Sequence, residues 1–308
     1  MQDTQKYTIL KTSELLKFDV PPREMLLSPW LSGESINLLY AWRGIGKTQM
    51  ALGISYAIGT KTSFLGWEAP NAQKVLYVDG EMPIGELKNR ISSMKHVSDN
   101  VKIFSSSIQN FSMPDLKTIE GQEALDALIT EDTKLIIIDN LSCLVGGNEN
   151  DAESWSNVGK WAIQKRSQGK SILFIHHAGK EGQQRGTSRK EDIMDCVITL
   201  KHPKDYDPSQ GARFEVHFEK ARCLSGAKIK PFIAGLESID GKYCWTTVPI
   251  LTAREKAVKT DKQTQEIIKL HEEGLTNVQI AEQLGVYRTL VWKKIKAHDK
   301  ENNLDDDI

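Results

Sequence analysis

The segment Ala41-Trp42-Arg43-Gly44-Ile45-Gly46-Lys47-Thr48 constrains this chain more than any other. It follows the apolar run INLLY (36–40) and precedes KTQMALGISYAIG, whose apolar residues recur at helical spacing. Its form is G-x-x-x-x-G-K-[ST], with Ala41 in place of the first glycine. A strand, a glycine loop and a helix in this order turn backbone N–H groups around phosphate oxygens. The start of the helix adds partial positive charge there. Gly44 and Gly46 permit the turn, and Trp42, Arg43 and Ile45 complete the loop. Lys47 offers a point charge for the β- and γ-phosphates, and the Thr48 hydroxyl a ligand for Mg2+. The expected ligands are ATP and Mg2+.

A loop of this kind belongs to an α/β fold, and the rest of the chain supports one. KVLYVDGE (74–81), VKIF (101–104), KLIIIDN (134–140) and SILFIHH (171–177) read as strands. GELKNRISSM (85–94), EGQEALDALIT (120–130) and ESWSNVGKWAIQKRSQG (153–169) read as helices between them. Apolar runs alternating with helices predict a mostly parallel sheet covered on both faces. IMDCVITL (193–200), RFEVHFE (213–219) and KIKPFIA (228–234) alternate more, and read as antiparallel edge or hairpin strands.

Two carboxylates stand where chemistry is expected. Asp139 ends the most apolar strand, the position of a carboxylate that holds Mg2+. Glu81 ends KVLYVDGE and is suited to polarise an attacking water. Asp79 is its rival on the same face of the strand, but Glu81 lies nearer the carboxyl end, where open α/β sheets bind ligands.

Taken in order, AWRGIGKT, VLYVDGE, LIIIDN, FIHHAGK and FEKAR resemble the RecA-like P-loop ATPases. Within them, the glutamate after the second strand and the paired histidines resemble the RepA-type hexameric replicative helicases of plasmids and mobile elements. The resemblance covers roughly residues 25–235. It implies that Glu81 activates water and that His176 or His177 contacts the γ-phosphate, with His177 favoured at the strand tip. It also implies that Lys220 and Arg222 reach the ATP of a neighbouring subunit, so that hydrolysis requires a homo-oligomer, hexameric in that branch. A guanidinium suits the task because it stays charged and pairs with phosphate oxygens.

The formal net charge is -1, from 40 Lys and Arg against 41 Asp and Glu, so any contact with nucleic acid must be a local patch. Two patches are available. The polar loop after the histidines carries Lys180, Arg185, Arg189 and Lys190, suited to the phosphates of single-stranded DNA in a ring channel. Near the C-terminus, TQEIIKLHEEG (264–274), NVQIAEQLG (277–285) and VYRTLVWKKIKAH (286–298) form a helix-turn-helix pattern. Tyr287, Arg288 and Thr289 would meet base edges of a duplex, and Lys293, Lys294 and Lys296 its phosphates. The resemblance, with the first patch lining a ring channel, implies a helicase or translocase of plasmid, phage or mobile-element replication. An ATP-switched regulator or recombination accessory protein that does not unwind follows from the second.

The expected organisation is an arm (1–27), a RecA-like ATPase domain (28–250), a linker (251–262), a helix-turn-helix domain (263–300) and an acidic tail (301–308). Cys143, Cys196, Cys223 and Cys244 have no metal or redox spacing, which argues for a reducing compartment. No stretch approaches the ~18 apolar residues of a membrane span, and no secretory signal is recognised. A cytoplasmic protein without membrane contact is expected.

Overall fold

The computed structural model describes residues 8–145, 152–179, 189–222 and 224–305. The chain divides into two compact units, Met1–Pro249 and Ile250–Ile308. The first opens with helix α1 (Thr12–Leu15) and a small hairpin of β1 (Met25–Leu27) and β2 (Leu31–Ser32). Then come β3 (Ile36–Ala41), α2 (Lys47–Thr60) and a second small hairpin, β4 (Ser63–Phe64) and β5 (Trp67–Glu68). β6 (Lys74–Asp79), α3 (Ile84–Ser92), β7 (Val101–Ser105), α4 (Ile119–Asp126) and β8 (Thr133–Asp139) follow. Next are α5 (Leu141–Leu144), α6 (Ala152–Ser167), β9 (Ser171–His177), α7 (Arg189–Asp192) and β10 (Cys196–Lys201). Three strands complete the unit: β11 (Arg213–Ala221), β12 (Phe232–Ile239) and β13 (Lys242–Pro249).

Nine of these strands form one sheet in the order β13-β12-β11-β10-β3-β9-β8-β6-β7. From β10 to β7 every pairing is parallel, and from β10 to β13 every pairing is antiparallel. Strand periodicity divides the core in two. Leu39, Tyr77, Ile137 and Ile175 join the cluster that includes α2 residues Met50 and Ile54. Leu38, Val78, Ile138 and Phe174 join the opposite cluster with Trp155 and Trp161 of α6. Both faces are covered, so the central strands read as unbroken apolar runs rather than as alternation.

Several expectations need correcting. β10 is no edge strand: it pairs in parallel with β3 and carries the sheet from its parallel to its antiparallel half. Its alternation misleads because only Lys201 at its end is exposed, while Thr199 is a buried polar residue. Residues 228–234 are not one strand, since Gly226–Ile229 form a 3-10 turn and the strand begins at Phe232. Glu81 lies beyond the end of β6, in the loop that leads to α3. The expected arm ends inside the fold, with Leu26 and Leu27 buried.

The second unit consists of α8 (Ala253–Glu272), α9 (Asn277–Leu284) and α10 (Arg288–Asp305). The backbone is helical through most of the expected linker and into the expected tail. Ile267, Ile268, Leu270, Ile280, Ala281, Val291 and Ile295 form its core. Thr276 caps α9, its hydroxyl accepting the Gln279 N–H while Gln279 Oε1 accepts the Thr276 N–H at 2.9 Å. That reciprocal box satisfies two otherwise orphaned donors. Gly285 ends α9 in the left-handed region, at φ 61°.

Candidate active site

The parallel register brings four loops into a row. Ala41 pairs with His177, and Asp79 with Asp139, at the carboxyl ends of β3, β9, β6 and β8. In open α/β sheets this edge is where ligands sit. Here it opens into a cleft of about 1090 Å3 lined by the glycine loop, Glu81, Asp139, Asn140 and His177, with Arg90 of α3 and the Tyr206–Ala212 segment as further walls.

The loop from Trp42 to Gly46 is shaped by two glycines. Gly44 sits at φ 78° with open space where a side chain would project. Gly46 sits at φ 124°, and a Cβ there would lie 2.9 Å from the Phe214 ring. Any other residue would be strained and would press on β11. Ile45 is buried in the α2-side core, so its side chain anchors the loop instead of facing the cleft. Trp42 is half exposed, and Arg43 is exposed at the rim.

Lys47 Nζ donates to the carbonyls of Ala41 at 3.1 Å and Trp42 at 3.0 Å. Burial pulls its pKa down to about 8, against the opposing pull of the Asp139 and Glu81 carboxylates. Asp139 is fully enclosed, and burial raises its pKa, while hydrogen bonds from Tyr77 and Thr48 lower it. Thr48 Oγ1 and Asp139 are hard oxygen donors beside an open anion cradle. Mg2+ commonly binds through one or two such protein ligands, with phosphate oxygens and water completing its shell. The donor set fits that ion, and the cradle above Gly44 fits a chain of phosphates.

Glu81 is well exposed to the cleft, with its side chain 64% accessible. Its rival Asp79 is buried and occupied, accepting the Met82 N–H at 3.1 Å and the Ser105 hydroxyl at 2.9 Å. That difference separates a carboxylate available to a ligand from one that fastens the loop. The two histidines are separated by the strand's alternation. His176 is buried, whereas His177 reaches the cleft with Nε2 3.8 Å from Glu81 Oε2. Between them lies Asn140, which sequence reasoning did not single out. Its Nδ2 donates to Glu81 and lies 3.2 Å from His177 Nε2. Arg90 and Tyr77 were likewise not singled out, although Tyr77 lies within VLYVDGE.

Other expected residues are not brought to this cleft. Lys220 donates to the Glu191 carbonyl, and Arg222 donates to the Asp192 carbonyl at 2.5 Å. Both are thereby tied to the segment entering β10. Lys180 and Arg185 lie outside the described residues, and Arg189 and Lys190 begin α7. In the second unit, Tyr287, Arg288, Thr289, Lys293 and Lys296 are exposed, together with Trp292, while Lys294 is only half exposed. Lys296 Nζ stands 4.7 Å from the centre of the Trp292 ring. Among the described residues no helix is long and apolar enough to cross a membrane.

A protein family described as AAA domain matches residues 2–183. The chain belongs to that family. Solved structures share the fold of this AAA-domain chain. A KaiC-like protein from the hyperthermophilic archaeon Pyrococcus horikoshii OT3 is 16% identical, with a TM-score of 0.53, and the match covers 75% of this chain and 96% of that one. The flagellar accessory protein FlaH from Methanocaldococcus jannaschii is 12% identical, with a TM-score of 0.50, and the match covers 70% and 90%. At such identities the likeness is one of fold, and the fold is that of RecA-like P-loop ATPases. No curated protein matches the sequence significantly.

Proposed function

We propose that this AAA-domain protein is a Mg2+-dependent ATPase acting on DNA, an oligomeric helicase or translocase of plasmid, phage or mobile-element replication related to the RepA type. The observation that carries the reading is the convergence of Lys47, Thr48, Asp139, Glu81 and His177 on one cleft. The reaction is ATP and water to ADP and phosphate. When bound at Thr48 and Asp139, Mg2+ supplies charge stabilisation for the phosphates. Lys47 leaves its loop carbonyls for the β/γ-phosphate oxygens. Glu81 accepts a hydrogen bond from the attacking water and orients it toward the γ-phosphorus. His177 meets the γ-phosphate from the neighbouring strand.

Lys220 and Arg222 act on the cleft of an adjacent subunit. Their absence from their own chain's cleft and the 46% exposure of the Arg222 side chain support this role. Lys180, Arg185, Arg189 and Lys190 contact single-stranded DNA through its phosphates.

A second reading is favoured by one feature, the capped α9, the Gly285 turn and the exposed basic face of α10. This arrangement suits the recognition helix of a duplex-binding helix-turn-helix, with Tyr287, Arg288 and Thr289 at its base-reading end. On this reading the protein is an ATP-switched regulator or recombination accessory factor that does not unwind DNA.

Steady-state ATP hydrolysis without DNA, with single strands and with duplex, beside native mass by light scattering, decides between them. Strong stimulation by single strands and a nucleotide-dependent ring mass are expected for the motor. Slow turnover indifferent to single strands, with monomers or dimers that hold duplex, would replace it with the regulator.

A further inference from the structure

Asn140 follows the metal-side aspartate and is 3% exposed, yet it touches both residues proposed to handle the γ-phosphate end of the reaction. Its amide orientation is set by a backbone donor. The Cys143 N–H, in the first turn of α5, is shared between the Asn140 carbonyl at 3.2 Å and Asn140 Oδ1 at 3.3 Å. An N–H can only meet an acceptor, so the oxygen must face Cys143 and the two N–H bonds of Nδ2 must face the cleft. One meets Glu81 Oε2, and the other points at His177 Nε2, 3.2 Å away. Nδ2 has no acceptor capacity. Glu81 must therefore present an unprotonated oxygen, and His177 an unprotonated Nε2, with the ring proton on Nδ1.

We infer that Asn140 is a positioning residue that orients the Glu81 carboxyl toward the water and fixes the tautomer of His177. This inference rests on the proposed ATPase reading of the same cleft. It accounts for the 3.8 Å separation of Nε2 and Oε2, because the amide lies between the two side chains. The intervening amide occupies the near oxygen and leaves the other Glu81 oxygen for water. Gly80 lets this loop approach α5, since a Cβ there would lie 2.5 Å from Cys143 Cβ. The amide, the base and the capped turn are therefore one packed assembly.

Asn140→Asp keeps the shape and the acceptor for Cys143 but removes the donor. Expected is a fall in kcat of about 10–100-fold with the Kd for a fluorescent ATP analogue within about twofold of wild type. Asn140→Ser, which retains a donor, should recover part of that loss. In the Glu81→Gln background, Asn140→Asp should lower the residual rate no further. Long-range 1H–15N spectra of 15N-histidine-labelled protein, with His177 assigned by His177→Gln, should report the Nδ1–H tautomer in wild type and a changed signal in Asn140→Ala. Unchanged turnover in Asn140→Asp, or a loss of nucleotide affinity equal to the loss of kcat, would overturn the inference. An unaltered His177 signal in Asn140→Ala would do the same. If Glu81→Gln itself keeps full turnover, the ATPase assignment of Glu81 fails instead, which separates the two outcomes.

Discussion

The Tyr77 hydroxyl donates to Asp139 Oδ2 at 2.6 Å, from the strand beside the one that carries the aspartate. Both side chains are buried, and the bond offsets part of the upward push that burial gives the Asp139 pKa. Tyr77→Phe leaves a buried carboxylate with one donor fewer. We expect a loss of about 1–3 kcal/mol of stability in urea denaturation followed by tryptophan fluorescence. A variant as stable as wild type would mean that the bond contributes nothing net.

Lys47 provides a pH signature. Burial lowers its pKa from 10.5 to about 8. Between those values the unfolded chain binds more protons than the folded one, so stability rises with pH across that window. Below it the cost of the buried ammonium is fully present. Phosphate oxygens beside the amine favour its charged form, so ATP binding above about pH 8 takes up a proton. Calorimetry in buffers of different ionisation enthalpy should detect that uptake about half a unit above pH 8 and almost none near pH 7. Lys47→Ala should bind ATP weakly at both. Proton uptake absent in the alkaline experiment would contradict the role given to this amine.

The glycine loop, the parallel sheet and the strand-end Asp139 were legible because each depends on local spacing along one segment. Glu81 was legible as the preferred carboxylate from its place nearer the strand's end, but what holds Asp79 was not. Met82 and Ser105 occupy that side chain. Asn140 was invisible because its role needs three strands in register and the first turn of α5. The central place of β10 was hidden by its polar Thr199, whose burial is settled by neighbours distant in sequence. The helix through residues 253–262 was hidden by its charge, since a polar segment carries no apolar stripe to announce it.

Arg222→Ala should leave nucleotide affinity within about twofold and lower turnover by about a thousandfold, the range of arginine fingers. Mixed with Glu81→Gln protein, it should regain part of the activity, because some clefts would then have an intact base and a neighbour's intact arginine. Titrating the two variants against each other in an ATP hydrolysis assay checks this. No recovery at any ratio would place the action of Arg222 within its own subunit.

Charge reversal on α10 separates duplex binding from catalysis. Lys293→Glu with Lys296→Glu should reduce duplex affinity and flatten its dependence on salt by about one unit of log–log slope per lost phosphate contact. ATP turnover without DNA should be unaltered. Fluorescence anisotropy with a labelled duplex at several salt concentrations measures both. An unaffected affinity would make the helical unit a protein-docking module.

On the proposed reading, Glu81 drives hydrolysis of ATP held by the glycine loop. Single-turnover phosphate release from ATP and Mg2+, measured for wild type and Glu81→Gln beside the nucleotide Kd of each, tests it most directly. Expected is a loss of about 100-fold or more in rate with a Kd changed by less than about twofold, as for removal of a general base. Equal rates in the two proteins, or a rate loss that follows weakened binding, would contradict it.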